Sequence, residues 1–392
     1  MHDFTATFLA DIQGIRRDIH AHPELAYEEI RTANLIANTL AAHHIPVLRG
    51  MGKTGIVGIV KKGNSPRAIG IRADMDALPL QEQNTFAHAS VHAGKMHACG
   101  HDGHTAMLLG AAIDLKRHGD FDGTVYAIFQ PAEENYGGAR RMIDEGLFGQ
   151  CPMDAIFGMH NWPDYAIGEF ATTPGPIMAS SNTFTLTIRG TGGHGAQPQR
   201  TVDPVMIAVQ VAQGWQNIMT RNKSPLDAAV LSITQIHAGS AFNIVPDKAI
   251  LTGTVRTFST SVLDLIESRL RETAEGIASA FHATATLDFQ RNYPPVVNHP
   301  EETARVIRVM ESLVGKERTH TQSVPTMVAE DFSFMLARKP GCYVFMGNGA
   351  REHANNTAPC GFLHSPTYDF DDTMLPLGMT FWMRLAREYL GR

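Results

Sequence analysis

The chain has 392 residues, of which 43% are hydrophobic and 18% are charged, and its formal net charge is −6. This length exceeds that of one typical core and predicts two domains, while the composition is ordinary for a globular protein. The net negative charge, without any run of Lys and Arg, argues against a nucleic acid as partner.

Three further features concern membranes and compartments. No apolar stretch approaches the roughly 20 residues that a transmembrane helix needs, so no membrane partner is expected. Residues 1–20 mix acidic residues into a helical pattern and do not resemble a secretory signal. The 4 cysteines are too few for a disulfide framework in so long a chain. We therefore expect a cytoplasmic protein with reduced thiols.

The first and last parts of the chain alternate between helical periodicity and short apolar, β-prone runs. Helices are predicted over residues 3–21, 24–42, 104–116, 139–144, 301–314, 331–338 and 372–390. Strands are predicted over residues 54–60, 67–73, 124–129, 154–159 and 342–346. Such alternation predicts an α/β fold with a mostly parallel sheet and helices on both of its faces.

The middle of the chain has the element order β-α-β-β-α-β, which is that of a ferredoxin-like α+β sandwich. Its strands are predicted over 183–189, 228–236, 249–258 and 284–289, and its helices over 203–220 and 262–281. We predict that residues 180–292 form a domain inserted into a larger one, which consists of residues 1–179 and 293–392. The exposed edges of the small sheet favour pairing with a second copy.

Chemically active side chains follow three consecutive strands of the larger domain. Asp74 and Asp76 follow one strand, Glu133 and Glu134 the next, and His160 the third. Because open α/β sheets carry their sites at the carboxyl ends of parallel strands, we expect these side chains to meet at one edge.

A nine-residue stretch, MHACGHDGH at residues 96–104, contains three histidines, a cysteine and an aspartate. These are ligand types of zinc and related ions, so the stretch is a candidate metal site. By itself it is equally compatible with a histidine-rich surface loop. The pair His20 and His22, between the first two predicted helices, could mimic a ligand pair and is interpreted as helix-end chemistry, and Cys360 is interpreted as a loop thiol.

A larger set of residues would suit two metal ions better than one. Five protein ligands are too many for one tetrahedral ion that keeps an open position. Two adjacent ions lower the pKa of a shared water, and a neighbouring carboxylate such as Glu133 can accept its proton. The five candidate ligands are Cys99, His101, Glu134, His160 and His364.

Eight motifs occur along the chain in one order, and the resemblance that they carry extends over essentially the whole chain. They resemble those of the dinuclear-metal aminoacylase and carboxypeptidase family, in its amidohydrolase branch of hippurate hydrolases, N-acyl-amino-acid amidohydrolases and auxin-conjugate hydrolases. The resemblance implies a zinc-peptidase-like catalytic domain with an inserted ferredoxin-like domain that dimerises. The motifs are DMDALPL (74–80), HACGHDGHTA (97–106), FQPAEE (129–134), GMHNWP (158–163), GGHGAQP (192–198), FNIVPD (242–247), GTVRTF (253–258) and LHSPTYDFDD (363–372).

The resemblance also implies a role for individual residues. Glu133 would be the general base and Asp76 would orient a ligand, while the metal ligands would be Cys99, His101, Glu134, His160 and His364. One departure concerns Asp74, which occupies the position where the wider family has a ligand histidine in an HxD motif. Asp74 is therefore not included among the ligands.

Three residues of the inserted domain also match motif positions. The resemblance implies that His194 donates a hydrogen bond to the developing oxyanion, often from the partner subunit, and that Asn243 and Arg256 hold the α-carboxylate of the substrate. A preorganised donor and an arginine fork suit these two tasks.

We therefore expect a metal-dependent amidohydrolase that cleaves N-acyl amino acids of the hippurate type and acts as a homodimer or possible tetramer. Zinc is the favoured metal, and the mixed ligand set also fits manganese, cobalt or nickel. Three alternatives stay open: a dipeptidase or carboxypeptidase of the same family, a non-catalytic metal- or peptide-binding protein, and a thiol hydrolase that uses Cys99.

Overall fold

The structure is a computed structural model, and it describes residues 2–349 and 362–391. Cys360 lies outside the described residues. Within them, no helix is both long and apolar enough to cross a membrane. The described chain forms two compact units, the first within Met1–Ile177, Val297–Val324 and Asp331–Arg392, and the second within Met178–Val296 and Pro325–Glu330.

The N-terminal part of the chain alternates between helices and strands. Its helices are α1 (Ala6–Ala21), α2 (Ile30–Ala42), α3 (His101–His118), α4 (Glu133–Tyr136), α5 (Gly138–Asp144) and α6 (Leu147–Gln150). Its strands are β1 (Val47–Met51), β2 (Gly55–Lys62), β3 (Ala68–Asp74), β4 (Gly123–Gln130), β5 (Ala155–Trp162), β6 (Phe170–Ala171) and β7 (Gly175–Met178).

The middle and C-terminal parts complete the two units. The middle part contains β8 (Ser181–Arg189), β9 (Gly193–His194), α7 (Pro204–Asn217), β10 (Ala229–Ala238), β11 (Ile244–Val245), β12 (Lys248–Thr257), α8 (Thr260–Ala280) and β13 (Thr284–Tyr293). The C-terminal part contains β14 (Val296–Asn298), α9 (Pro300–Val314), β15 (Thr319–His320), α10 (Ser333–Leu336), β16 (Gly341–Gly347) and α11 (Leu375–Leu390).

An eight-stranded sheet organises the first unit, in the order β1-β2-β4-β3-β5-β16-β6-β15. Its four central strands β4, β3, β5 and β16 are parallel and buried along their whole length. The register pairs Asp74 with Gln130 and His160 with Phe345, so the strand ends lie side by side. The predicted mostly parallel sheet and the convergence of its strand ends are confirmed.

The second unit has an antiparallel four-stranded sheet in the order β10-β12-β8-β13. Helices α7 and α8 pack on it through an apolar core that includes Leu186, Trp215, Leu251 and Ile266. The connection order and the sheet order are those of a ferredoxin-like sandwich, as the element order β-α-β-β-α-β predicts.

The second predicted helix begins later than expected, at Ile30 rather than at residue 24. The backbone of Tyr27 is left-handed, with φ of 63°, which interrupts a helix. The carboxylate of Glu24 accepts hydrogen bonds from the backbone N–H groups of Arg31 and Thr32, at 2.9 and 2.8 Å. These bonds satisfy two free donors in the first turn of α2. A helical sequence pattern thus overestimated the helix by one to two turns.

Candidate metal centre

Cys99 and His101 lie on either side of a sharp turn at the start of α3. Gly100 between them has φ of 88°, a conformation that favours glycine. A Cβ atom at this position would collide with the side-chain amide of Asn161. The absence of a side chain at Gly100 therefore lets the turn approach β5, which carries His160.

The five predicted metal ligands and the predicted base Glu133 converge at the carboxyl edge of the sheet. Within each of three groups, the possible ligand atoms all lie within 4.8 Å of one another. Because the groups share members, they form one continuous cluster of side chains. The groups are Cys99 with His101 and His160, Cys99 with Glu134 and His364, and His101 with Glu133 and Glu134.

Main-chain carbonyls orient two of the histidines in the cluster. Nδ1 of His101 lies 2.9 Å from the carbonyl oxygen of Asp76, and Nδ1 of His160 lies 2.6 Å from that of Asn161. A carbonyl can only accept, so each Nδ1 carries a proton and Nε2 is the ring nitrogen left to bind a metal ion. This is the usual arrangement of a metal-binding histidine.

Asp76 contacts two of the candidate ligands. Its carbonyl accepts from His101, and its Oδ2 accepts a hydrogen bond of 2.9 Å from the backbone N–H of Glu134. The side chain is buried. Asp76 therefore fixes the orientation of a histidine from α3 and of a carboxylate from α4 at once.

His364 reaches the cluster from the loop before α11. Its backbone has φ of 67°, and its N–H donates to the carbonyl of Ala98 at 2.7 Å. Its Nε2 lies 3.1 Å from Oε1 of Glu134. Hydrogen bonds with Cys99 and Glu134 raise the pKa of His364 to about 10 in the absence of a metal ion.

The environment of Cys99 does not favour a free thiolate. Burial, together with the negative charge of Glu134, raises the pKa of the thiol. A nucleophilic cysteine needs a lowered pKa, so this environment speaks against a thiol hydrolase. A bound divalent cation, in contrast, deprotonates a coordinating thiol.

The side chains of the cluster fit divalent metal ions. Nε2 of His101 is buried and has no hydrogen-bond partner within the described part of the chain. An unpartnered buried polar atom is costly, and a bound cation would satisfy it. The sulfur, nitrogen and oxygen donors suit zinc and its transition-metal neighbours.

A buried ionic network supports the neighbouring strand ends, and the sequence reading missed it. Arg72 on β3 lies 2.7 Å from Oδ2 of Asp74 and 3.0 Å from Oδ1 of Asp331, and it donates to Gln130 at 2.8 Å. The other oxygen of Asp74 lies 2.6 Å from Nδ1 of His104. Both oxygens of Asp74 are thus engaged by the protein. An arginine within a wholly buried strand was the signal, because such a charge requires partners.

His20 lies in the last turn of α1, as the sequence predicts, but its side chain also belongs to a buried polar network that the sequence did not indicate. The side chain is buried, with Nδ1 at 2.9 Å from Oδ2 of Asp102 and Nε2 at 3.2 Å from Oε1 of Glu82. The same oxygen of Asp102 lies 2.8 Å from Nε of Arg16. These contacts tie α1 to the first turn of α3, directly behind His101.

The remaining predicted residues belong to the second unit. His194 ends β9 and is exposed, and its Nδ1 accepts a hydrogen bond of 3.0 Å from the N–H of Ala196. Asn243 is exposed, and its carbonyl accepts from Gly195 at 2.8 Å. Arg256 lies half-buried on β12, and burial lowers its pKa.

The site combines buried thiol, imidazole and carboxylate groups at the carboxyl edge of a parallel sheet. Such a site is typical of an α/β metallohydrolase. Residues 70–388 match the peptidase family M20/M25/M40, and the chain belongs to this family. The predicted family and fold class are confirmed, and so is the coarser prediction of a hydrolase that acts on amide bonds.

Three relatives illustrate the similarity. The hippurate hydrolase of Campylobacter jejuni is 38% identical over 386 residues, which are 97% of this chain and 98% of that protein. Thermostable carboxypeptidase 2 of Saccharolobus solfataricus is 40% identical over 385 residues, which are 96% of this chain and 95% of that protein. A crystal structure of a dinuclear metal-binding peptidase of the M20 family from Bacillus subtilis superimposes with a TM-score of 0.84 at 34% identity, covering 98% of both chains.

Proposed function

We propose that this protein is a metal-dependent amidohydrolase that cleaves the amide bond of N-acyl amino acids of the hippurate type. The observation that carries the proposal is the grouping of Glu133 with Glu134 and His101, whose donor atoms lie within 4.8 Å of one another. In this group, the carboxylate of Glu133 can act as a base beside two candidate metal ligands, Glu134 and His101. The relative named hippurate hydrolase supports this class of substrate.

Two divalent metal ions are the proposed cofactors. Cys99, His101, Glu134, His160 and His364 would hold them, and Asp76 would orient His101 and Glu134. When bound, such ions supply a water of lowered pKa and polarise the acyl carbonyl. Zinc suits the ligand set best, and manganese, cobalt or nickel also fit.

Glu133 is the proposed general base. Its Oε1 accepts a hydrogen bond of 3.3 Å from the backbone N–H of Asp331, and its side chain is largely buried. The carboxylate takes a proton from the attacking water and then delivers it to the leaving amine nitrogen. A buried carboxylate with a fixed hydrogen bond can serve both steps without large movement.

His194 is the proposed donor to the oxyanion that develops on the acyl carbonyl. Because its Nδ1 accepts a hydrogen bond from the N–H of Ala196, Nε2 is the ring nitrogen that carries a proton. This nitrogen is then the donor that the role requires.

Arg256 and Asn243 are proposed to hold the α-carboxylate of the substrate. Arg256 has no ion pair or hydrogen bond with any side chain that the structure describes, so its guanidinium is available for a bidentate contact. The side chain of Asn243 is exposed and can add a hydrogen bond.

We further propose a cytoplasmic homodimer, or a tetramer built from it, that associates through the second unit. Strand β10 forms an edge of the small sheet, and its residue Ile236 is 51% exposed. An unpaired edge with exposed apolar side chains favours association with a second copy.

The proposed function is tested by incubating the metal-free protein with each candidate metal and a substrate panel. The panel comprises N-benzoyl, N-acetyl and long-chain N-acyl amino acids, and dipeptides with a free amine. We expect metal-dependent release of the amino acid from N-benzoylglycine, and we expect a chelator to abolish this activity.

A panel in which only free-amine dipeptides are cleaved would instead favour the second candidate function, that of a dipeptidase or carboxypeptidase. The relative from Saccharolobus solfataricus supports this candidate. Metal binding without any turnover would indicate a binding protein.

A further inference from the structure

Glu29 is a buried carboxyl group that the proposed mechanism does not use. It precedes α2, and its side chain is fully buried. One oxygen, Oε2, accepts a hydrogen bond of 2.6 Å from the hydroxyl of Thr54. The other, Oε1, accepts a hydrogen bond of 2.9 Å from the backbone N–H of Ala132. Burial raises the pKa of Glu29 to about 7, which shows that this position is unfavourable for a charge.

Ala132, the residue that Glu29 binds, has an unusual backbone conformation. Its φ is 54° and its ψ is 44°, in the left-handed region that residues with a Cβ rarely adopt. Its N–H donates to Glu29, and its carbonyl accepts from the N–H of Gly138 at 3.0 Å. Both main-chain groups of this strained residue are therefore held in place.

The position of Ala132 makes these bonds relevant to the site. Ala132 lies between the end of β4 and the first residue of α4, which is Glu133. Its left-handed backbone sets the direction in which the chain leaves the strand. The next residue, Glu134, has a separate support, because its N–H donates to Asp76 at 2.9 Å. The two adjacent glutamates thus depend on two different carboxylates.

We propose that Glu29 is a positioning residue that holds Ala132 in its left-handed conformation and thereby aims the carboxylate of Glu133. The inference rests on the proposed function of Glu133 as general base. Glu29 itself contacts neither the candidate metal ligands nor the substrate. It acts through a main-chain hydrogen bond, which any side chain with an acceptor at the same place can supply.

Three variants separate this role from a general contribution to folding. Glu29→Leu removes the acceptor for the N–H of Ala132. Glu29→Gln keeps a carbonyl oxygen for that N–H and can donate its amide to Thr54, so it is the conservative variant. Thr54→Val removes the other hydrogen bond of Glu29 and leaves the contact with Ala132, so it is the matched control.

Activity and hydrogen exchange are both measured. For Glu29→Leu, we expect kcat on N-benzoylglycine to fall by about 30-fold to 100-fold, as a misplaced catalytic group does, with KM changed by less than about threefold. Glu29→Gln and Thr54→Val should keep kcat within about threefold of the wild type. In the metal-free protein, the amide of Ala132 should exchange at least about tenfold faster in Glu29→Leu than in Glu29→Gln, because it has lost its acceptor.

Several outcomes would overturn the inference. One is an unchanged kcat in Glu29→Leu, and another is an equal loss in Glu29→Gln, since the amide keeps the acceptor. A loss of bound metal in parallel with the loss of kcat would indicate a general structural role. If Glu29→Leu does not fold, Glu29→Asp takes its place, because its shorter side chain withdraws the acceptor from Ala132.

The design separates failure of the inference from failure of the proposed function. A wild-type protein that cleaves no amide substrate contradicts the proposed function, whatever the variants do. In that case an unchanged hydrogen-exchange rate of the Ala132 amide in Glu29→Leu still overturns the positioning role. Faster exchange supports the inference that Glu29 holds the backbone of Ala132 in place. If the wild type cleaves N-benzoylglycine and Glu29→Leu has the same kcat, only the positioning role is contradicted.

Discussion

Nε2 of His160 lies 3.4 Å from Sγ of Cys99, although the two residues come from β5 and from the turn before α3. The other nitrogen of the same ring is bound to the carbonyl of Asn161, which directs Nε2 toward the sulfur. A soft thiol and an imidazole that face each other in a buried place are a favourable pair of ligands for a transition metal.

Metal affinity is expected to rise with pH. Without metal, hydrogen bonds with Cys99 and Glu134 raise the pKa of His364 to about 10, and burial raises the pKa of Cys99. Both groups are then protonated at neutral pH and must lose their protons to bind an ion. We expect the dissociation constant to fall by at least about tenfold per pH unit between pH 6 and 8. Isothermal titration in buffers of different ionisation enthalpy measures the released protons, and a titration that releases none would contradict this.

Replacement of Asp76 should weaken metal binding. Asp76→Ala removes the acceptor that orients Glu134 and leaves the N–H of that residue unpaired. Loss of such a supporting contact typically lowers metal affinity by about 10-fold to 100-fold. The control is Asp144→Ala, an exposed carboxylate of α5. Competition with a chromogenic chelator measures both affinities, and equal values would exclude the orienting role.

Arg16 should contribute strongly to stability. Its fully buried guanidinium lies 2.8 Å from Asp102 and 2.9 Å from Asp369. Arg16→Met leaves these carboxylates without their partner, which costs about 3–5 kcal/mol of the free energy of unfolding. The neighbouring Arg17 is 46% exposed, so Arg17→Met should cost less than about 1 kcal/mol. Urea denaturation measures both, and similar losses would contradict the difference.

Glu29 should make the wild-type protein less stable as pH rises. Because burial raises its pKa from 4.5 to about 7, the folded state binds more protons than the unfolded state between these values. The free energy of unfolding therefore falls as the pH rises from 4.5 to about 7. Glu29→Gln lacks this group and should gain up to about 3 kcal/mol relative to wild type between pH 4.5 and 8.

Urea denaturation of the metal-free protein at several pH values measures this change. The control is Glu28→Gln, whose exposed side chain pairs with Lys95 at the surface. A stability difference between Glu29→Gln and wild type that stays constant over this range would show that Glu29 does not titrate as described.

The strand ends were predictable because their pattern is local. An apolar run followed by Asp74, Glu133 or His160 can be read from the sequence, and the topology of a parallel sheet brings such ends together. The supporting contacts were not predictable in this way. The bond between His101 and the carbonyl of Asp76 depends on the exact path of two loops, and no residue type encodes it.

Burial explains the other differences between the sequence reading and the structure. His20 lies at the end of an amphipathic helix, where a solvent-facing role is the common case. It is buried because Asp102 and Glu82, which are 82 and 62 residues away in the chain, provide polar partners. The periodicity of hydrophobic residues in a local segment cannot reveal partners that are so distant in the chain. In contrast, Arg72 in a continuous apolar strand was a local signal that a buried ionic network must exist.

Glu133→Gln tests the central claim most directly. The amide keeps the size of the side chain but cannot accept a proton from water. We expect the variant to bind two metal ions with the affinity of the wild type and to lose about 1,000-fold or more of kcat on N-benzoylglycine. The control is Glu301→Gln, an exposed residue in the first turn of α9. A Glu133→Gln protein with both ions bound and kcat within about tenfold of the wild type would contradict Glu133 as the general base.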